Sequence, residues 1–321
     1  MYNDARRELP AGHALRIYRA TLAAQEELYA LAARLGAARS FRRAGMLRLA
    51  WDEREAAHVR DHAAALAEDG LPGRIVEEAE LPAAVRRPGR LGLFTDHDSG
   101  FQPADWLRRL AVACEDAGAT IVEGSPVTAP IERGDDGRFV LETPEGHVRA
   151  QRVVVAADAH LGILVPAYAD LVRCTRLHMV ATAPVAERVL PCCVYARDGW
   201  EYFHQLDDGR VALGGFRDID TESVTTSEAP SPVVMARLER YLVEELGVSA
   251  PVTHRWVGLV GFTDGGRPFV GESPDEPGLY VAGGYCGTGN INGWVAGRIV
   301  ADLIADGASP DADLFDAARL A

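Results

Sequence analysis

Lysine is missing from the 321 residues: all 33 basic side chains are arginine. A Schiff-base lysine and a phosphate-loop lysine are therefore excluded. Cysteine is scarce, at Cys114, Cys174, Cys192, Cys193 and Cys286. The number is odd and no C-x-x-C occurs, which supports neither a zinc site nor a disulfide framework. Reduced, buried thiols are the plain reading. No apolar run reaches the roughly 18 residues that a membrane-spanning helix needs. The first residues, Met1-Tyr2-Asn3-Asp4-Ala5-Arg6-Arg7, show no apolar stretch of a signal peptide. Positive charge is outweighed, with 47 acidic residues against 33 basic ones and a net charge of −14. An acidic balance argues against nucleic acid, whose phosphates need a positive face. The expectation is a soluble, cytoplasmic protein with no membrane or nucleic-acid partner.

Hydrophobic residues make up 48% of the chain, ample for a core. At this length single cores stop growing, so two interleaved domains are expected. Apolar spacing predicts helices over 12–36, 53–68, 103–118, 233–246 and 292–305. Asp52 is placed to cap the second, and Pro103 to open the third. Strands are predicted at 46–50, 120–123, 127–132, 139–143 and 147–149. Arg152-Val153-Val154-Val155-Ala156-Ala157 reads as a strand buried on both faces of a parallel sheet. The middle of the chain, 174–220, reads as an antiparallel sheet, with a further strand at 254–259.

The end of the chain carries the strongest chemical signal. A buried strand at 278–282 runs into Gly283-Gly284-Tyr285-Cys286-Gly287-Thr288-Gly289-Asn290, and a helix follows. Glycine lets backbone lie against a flat ligand and adopt positive φ. A helix N-terminus offers free N–H groups and the positive end of the dipole, which suit an anion. The same pattern also serves a strand–helix turn that needs glycine only for close packing, and the motif alone leaves both readings open.

Gly284-Tyr285-Cys286-Gly287-Thr288-Gly289, with Gly297-Arg298 and Ala301-Asp302-Leu303-Ile304 behind it, resembles the C-terminal flavin motif of the D-amino-acid oxidase-like family. That group includes glycine, sarcosine and γ-glutamylputrescine oxidases. Weaker likenesses follow in family order at residues 41–50, 100–124, 153–159, 255–258 and 268–271. The resemblance implies an α/β fold, with a partial FAD-binding Rossmann-like domain interleaved with an antiparallel-sheet substrate domain. It assigns 1–37, 96–165 and 264–321 to the FAD-binding domain, and 38–95 and 166–263 to the substrate domain. It implies non-covalent FAD, a small-molecule amine or amino-acid substrate, and O2 or an electron carrier as acceptor. Cofactor contacts are expected at Val127, beside the adenine, and at Ala157, Asp158, Gly284, Gly287, Thr288, Gly289 and Asn290.

The sequence departs from the family in four places. No G-x-G-x-x-G follows a strand, so the N-terminal βαβ unit, about 30 residues or more, is expected to be missing. Asp158 stands where the family has glycine, and a carboxylate there is expected to repel a pyrophosphate. Thr288 replaces a histidine. The run Gly258-Leu259-Val260-Gly261-Phe262 lacks the arginine that holds a substrate carboxylate, which favours an amine over an amino acid unless Arg197 or Arg255 substitutes. Tyr202 and His204 alternate on one strand and share a face. Either is a candidate to orient the amine or accept its proton, or both are an ordinary hydrogen-bonded tyrosine and a surface histidine. The alternatives to an amine oxidoreductase are a flavin dehydrogenase or hydroxy-acid oxidase of the same fold, and a truncated, non-catalytic chain.

Overall fold

Alternating exposure along the strand Glu201–Gln205 shows how the larger half is built. Glu201, Phe203 and Gln205 are buried, while Tyr202 and His204 are only half covered. In a strand this period of two sends alternate side chains to opposite faces. A computed structural model, which describes residues 1–319, places this strand inside an eight-stranded sheet. The order across it is Val252–Phe262, Arg173–Thr182, Val211–Gly215, Glu201–Gln205, Cys193–Ala196, Met46–Leu49, Gly92–Thr95 and Arg74–Val76. All neighbours are antiparallel except Cys193–Ala196 with Met46–Leu49. The face carrying Phe203 packs on helix Pro232–Glu244 through Val234, Leu238, Tyr241 and Leu242. Those positions recur at helical spacing, and Pro232 sits in the first turn, where its missing N–H costs nothing. The opposite face looks into a cleft.

A smaller three-stranded sheet orders Phe269–Glu272, Leu279–Gly283 and Val153–Val155. Leu279–Gly283 and Val153–Val155 run parallel. The long helix His13–Arg34 and the terminal helix Gly289–Asp306 cover it, joining Ala20 and Ala24 to Val295, Ala296 and Ile299. Gly289–Asp306 begins three residues before the expected 292, because Gly289, Asn290 and Asn292 are weak helix formers that hide its first turn. Asp52 caps helix Glu53–Glu68, its carboxylate accepting from the Glu55 amide at 2.8 Å. No helix among the described residues is long and apolar enough to cross a membrane.

The expected strands at 120–123 and 127–132 do not form, apart from Glu132–Arg133 in a small hairpin sheet. Residues 119–131 form no ladder and turn at Glu123-Gly124, and Ile121 and Val122 stand 43% and 68% exposed. The reason is the lack of a partner: β-propensity becomes a strand only when another edge supplies hydrogen bonds. Val153–Val155 is likewise the outer strand of its sheet, and Val154 is 43% exposed, not buried on both faces as its composition suggests.

One buried ion pair ties the 216–231 loop to the large sheet. Arg176 grips Asp220 through Nε and Nη2, at 3.2 and 2.9 Å, and also donates to the Ala229 carbonyl. Removing one member of a buried pair strands the other charge. Asp220→Ala is therefore expected to lower unfolding free energy by about 3–5 kcal/mol. Leu238→Ala, which empties part of the core under the helix, should cost about 2–5 kcal/mol. Equilibrium urea unfolding followed by circular dichroism measures both.

Candidate functional site

Strand Leu279–Gly283 delivers the chain into a turn with three left-handed residues. Gly284, Cys286 and Gly287 have φ of +77°, +52° and +86°. At Gly284 the approach is also too close for a side chain: a Cβ would lie 2.5 Å from Thr263 Cγ2. At Gly287 a Cβ would meet nothing within 4 Å, so open space stands before it. The Cys286 amide donates to the Gly261 carbonyl at 2.8 Å and the Thr288 amide to Tyr285 at 2.9 Å. The amides of Gly287, Gly289, Asn290 and Ile291 have no acceptor among the described residues. Four free N–H groups thus gather where the terminal helix starts, and its dipole reinforces their positive potential.

Asp158 holds this turn from the neighbouring strand end. Its carboxylate accepts from the amides of Gly261 and Gly284 at 2.9 Å each, and from Tyr285 at 3.0 Å. The residue itself takes a left-handed φ of +43°, and a Cβ on Gly283 would come 3.0 Å from its Cα. The carboxylate is spent on the turn's own backbone. Ala157, just before it, is half-buried.

Two recesses of about 370 Å³ each open onto Gly287 and Thr288. Arg48 and Tyr195 line both. The first reaches toward helix His13–Arg34 and is walled by Tyr18, Gln25, His62, His97 and Asn292. His62 Nε2, His97 Nδ1 and Asn292 Oδ1 are buried there without a hydrogen-bond partner. Burial drives the His62 pKa down to about 3, so the ring is neutral at physiological pH. The second recess lies under the large sheet and is walled by Tyr202, Arg217, Val260, Phe262 and Cys286. Tyr195 and Tyr202 pair across two strands, edge to face at 6.3 Å. Burial pushes the Tyr202 phenol above its ordinary value, so it stays protonated and can donate. Arg48 is neutralised by Asp198 at 2.9 Å.

Of the residues singled out from the sequence, Gly287, Thr288 and Asn290 line the first recess, while Tyr202 joins Gly287 and Thr288 at the second. Gly284 and Gly289 belong to the same turn. His204 lies elsewhere: it lines a separate cleft of about 260 Å³ with Arg42, Gly100 and Asp207. Val127 sits half-buried in the unpaired stretch, beside the Glu142 carbonyl that receives the Thr128 amide. Arg48, His62, His97, Tyr195 and Arg217 were not singled out as site residues. Each is a single polar residue on an ordinary element, and only the packing of distant segments brings them together.

A family model described as "DAO: FAD dependent oxidoreductase" matches residues 3–303. The chain is 31% identical to the probable oxidoreductase OrdL of Rhizobium meliloti (strain 1021) over 206 residues, 62% of this chain and 45% of that protein. It is 27% identical to the glycine oxidase of Geobacillus kaustophilus (strain HTA426) over 275 residues, covering 81% and 69% of the two chains. The chain spans about half the length of the two OrdL relatives that it matches, 45% and 49%. In structure it resembles glycine oxidase from Geobacillus kaustophilus, with TM-score 0.82, 22% identity, and 99% and 86% of the two chains covered. Iminodiacetate oxidase from Chelativorans sp. BNC1 follows the same fold, at TM-score 0.78 and 16% identity over 96% of this chain and 85% of that one.

Two outcomes test this site. Asp158→Ala leaves three amides without their acceptor and keeps a Cβ at positive φ. It should cost about 1–3 kcal/mol, with Asp158→Gly losing less because glycine accepts that φ freely. Urea unfolding of the two variants checks the order. Because the folded-state pKa of His62 is depressed, the unfolded chain binds the extra proton below pH 6.5. The contribution is therefore intact above pH 6.5 and is lost as pH falls toward about 3. His62→Gln should flatten the stability–pH slope over this window by up to about 1.4 kcal/mol per pH unit.

Proposed function

Because the chain belongs to the DAO family of FAD-dependent oxidoreductases, whose model matches residues 3–303, we propose that its glycine turn serves the oxidation of a C–N bond in a small amine or amino acid. The observation that carries this reading is the set of unpaired amides at Gly287, Gly289, Asn290 and Ile291, facing open space at a helix N-terminus. These groups suit the electron-rich edge of a flat ring that gains negative charge on reduction. The fit concerns the ring end alone, since no G-x-G-x-x-G follows a strand in these 321 residues to receive the rest of the dinucleotide.

When bound, FAD would accept the hydride that leaves carbon as the C–N bond becomes C=N, and its two electrons would pass on to O2 or a carrier. The chain's own groups position the substrate. Tyr195, Tyr202 and Phe262 give the second recess aromatic walls, beside the polar side chains of Arg48, Arg217 and Thr288. The protonated Tyr202 hydroxyl has no hydrogen-bond partner among the described residues, so it is free to donate to a polar atom of the substrate. It orients the substrate, and a base is not needed if the amine enters neutral.

The reading is tested by mixing the purified chain with FAD under anaerobic conditions and adding amines, amino acids and 2-hydroxy acids in turn. Bleaching of the oxidised-flavin absorbance by amines or amino acids is expected. Bleaching by hydroxy acids alone, or by no compound while flavin is bound, would overturn it. Tyr202→Phe should raise KM about tenfold with a smaller effect on kcat, the result of losing one hydrogen bond to a bound polar group.

A further inference from the structure

His178 lies in strand Arg173–Thr182, lines neither recess and is wholly buried. Its Nε2 accepts the Ser231 amide at 2.8 Å. Ser231 is the N-cap of helix Pro232–Glu244, and its own hydroxyl does not cap that end. The imidazole therefore takes over part of a cap's work. A ring nitrogen that accepts carries no proton, so the proton of the neutral ring sits on Nδ1. Nδ1 is buried without a hydrogen-bond partner. The ring can hold the helix N-terminus only while it is neutral.

This bond is the last in a row of ties between one strand and the segment 216–231, which links Val211–Gly215 to the helix. The Thr225 amide donates to the Cys174 carbonyl at 2.9 Å, and the Arg176 amide to that of Ser223 at 2.8 Å. The Arg176 guanidinium holds Asp220 and the Ala229 carbonyl. His178 then takes Ser231. Burial adds little beyond Phe216: Val224 is 63% exposed and residues 226–230 are all exposed. The segment is thus a strap held by polar ties. Its first residues reach the second recess through Arg217, which makes no ion pair among the described residues. The Arg217 guanidinium lies 4.0 Å from the Trp200 ring centre and 4.8 Å from that of Phe262.

A proton added to His178 lands on Nε2 and sets two donors, Nε2–H and the Ser231 N–H, against each other. The new cation is buried at the positive end of a helix dipole, where charge of that sign is unfavourable. Its surroundings offer little relief. The helix buries Val234, Met235 and Leu238 on this side, and Val211–Gly215 carries no charge. Val257 lies opposite on the other neighbouring strand, and Arg255 beyond it is committed to Glu239. Asp158, toward the other end of the strand, is taken by backbone amides. Asp220 is the carboxylate that acts on the ring, and Arg176, which grips it, acts in the opposite sense. Burial outweighs both and holds the His178 pKa below the ordinary histidine value. We infer that residues 216–231 form an acid-released strap: protonated His178 lets go of Ser231, the strap opens, and Arg217 leaves the recess under the large sheet. Because the folded-state pKa is lowered, the tie is intact above pH 6.5 and is lost as pH falls below it.

Hydrogen exchange read by mass spectrometry on the full chain, corrected for the pH dependence of intrinsic exchange, follows the strap directly. Between about pH 7.5 and pH 5, peptides covering 216–231 should lose protection about tenfold, while those covering 173–182 and 211–215 keep theirs. His178→Gln, whose side-chain oxygen can accept the Ser231 amide but does not titrate, should keep the strap closed at both values. His178→Leu leaves that amide without an acceptor and should open the strap already at pH 7.5. An acid response in His178→Gln equal to that of the wild type overturns the inference. The wild type alone also decides it. Opening must follow a one-proton curve with its midpoint below pH 6.5. Unchanged protection of 216–231, a midpoint above that value, or loss of the strap and the sheet together in one transition each overturns the inference.

Discussion

A single carboxylate among three backbone amides fixes where the two sheets meet. Asp158 follows the strand Val153–Val155 of the small sheet by three residues and opens the turn Asp158–His160. Gly261 belongs to Val252–Phe262 of the large one, and Gly284 and Tyr285 open the glycine turn. Gly261 is bonded on both sides, donating to Asp158 and accepting from the Cys286 amide. Charge-assisted bonds of this kind are about twice as strong as neutral ones, and three converge here. The free amides from Gly287 onward, and the recess under the large sheet, keep their relation to each other because of this knot. The positive φ of Asp158 is a strain that these bonds offset.

Much of this was legible in the residues, and what was not has physical causes. The turn at 283–290 announced itself because glycine at such density after an apolar run has few uses. Helix Pro232–Glu244 and the cap at Asp52 followed from periodicity and side-chain chemistry that act within a few residues. The stretch 120–132 failed for the opposite reason. Ile121 and Val122 have the composition of a strand, but strand formation is decided by a partner that local sequence does not reveal. Asp158 was legible as an odd residue beside the expected cofactor, and its charge suggested repulsion. Its partners, more than 100 positions away, turned it into a brace.

The recess residues were harder still. Arg48, Tyr195 and Arg217 come from three strands or their ends and meet only because the sheet order brings those strands side by side. Arg197 and Arg217 are alike in sequence terms: both follow a strand and both sit next to an aspartate. The difference is that Glu201, fully buried beside Arg197, draws that guanidinium away together with Asp218. Which arginine is left over is a property of pairing in three dimensions.

The net charge of −14 stands against a site that collects donors. Screening resolves this. At physiological ionic strength the Debye length is about 8 Å, so carboxylates scattered over the exterior contribute little inside the recess. Within it the local balance is reversed. Asp158 is consumed by amides, Asp198 by Arg48 and Asp218 by Arg197, which leaves a guanidinium at one end and a bare helix N-terminus at the other. An acidic protein can therefore hold an anion without a positive surface, provided that its interior carboxylates are each paired before the ligand arrives. The arginine-only composition serves this, because a guanidinium stays charged under burial that would discharge a lysine ammonium.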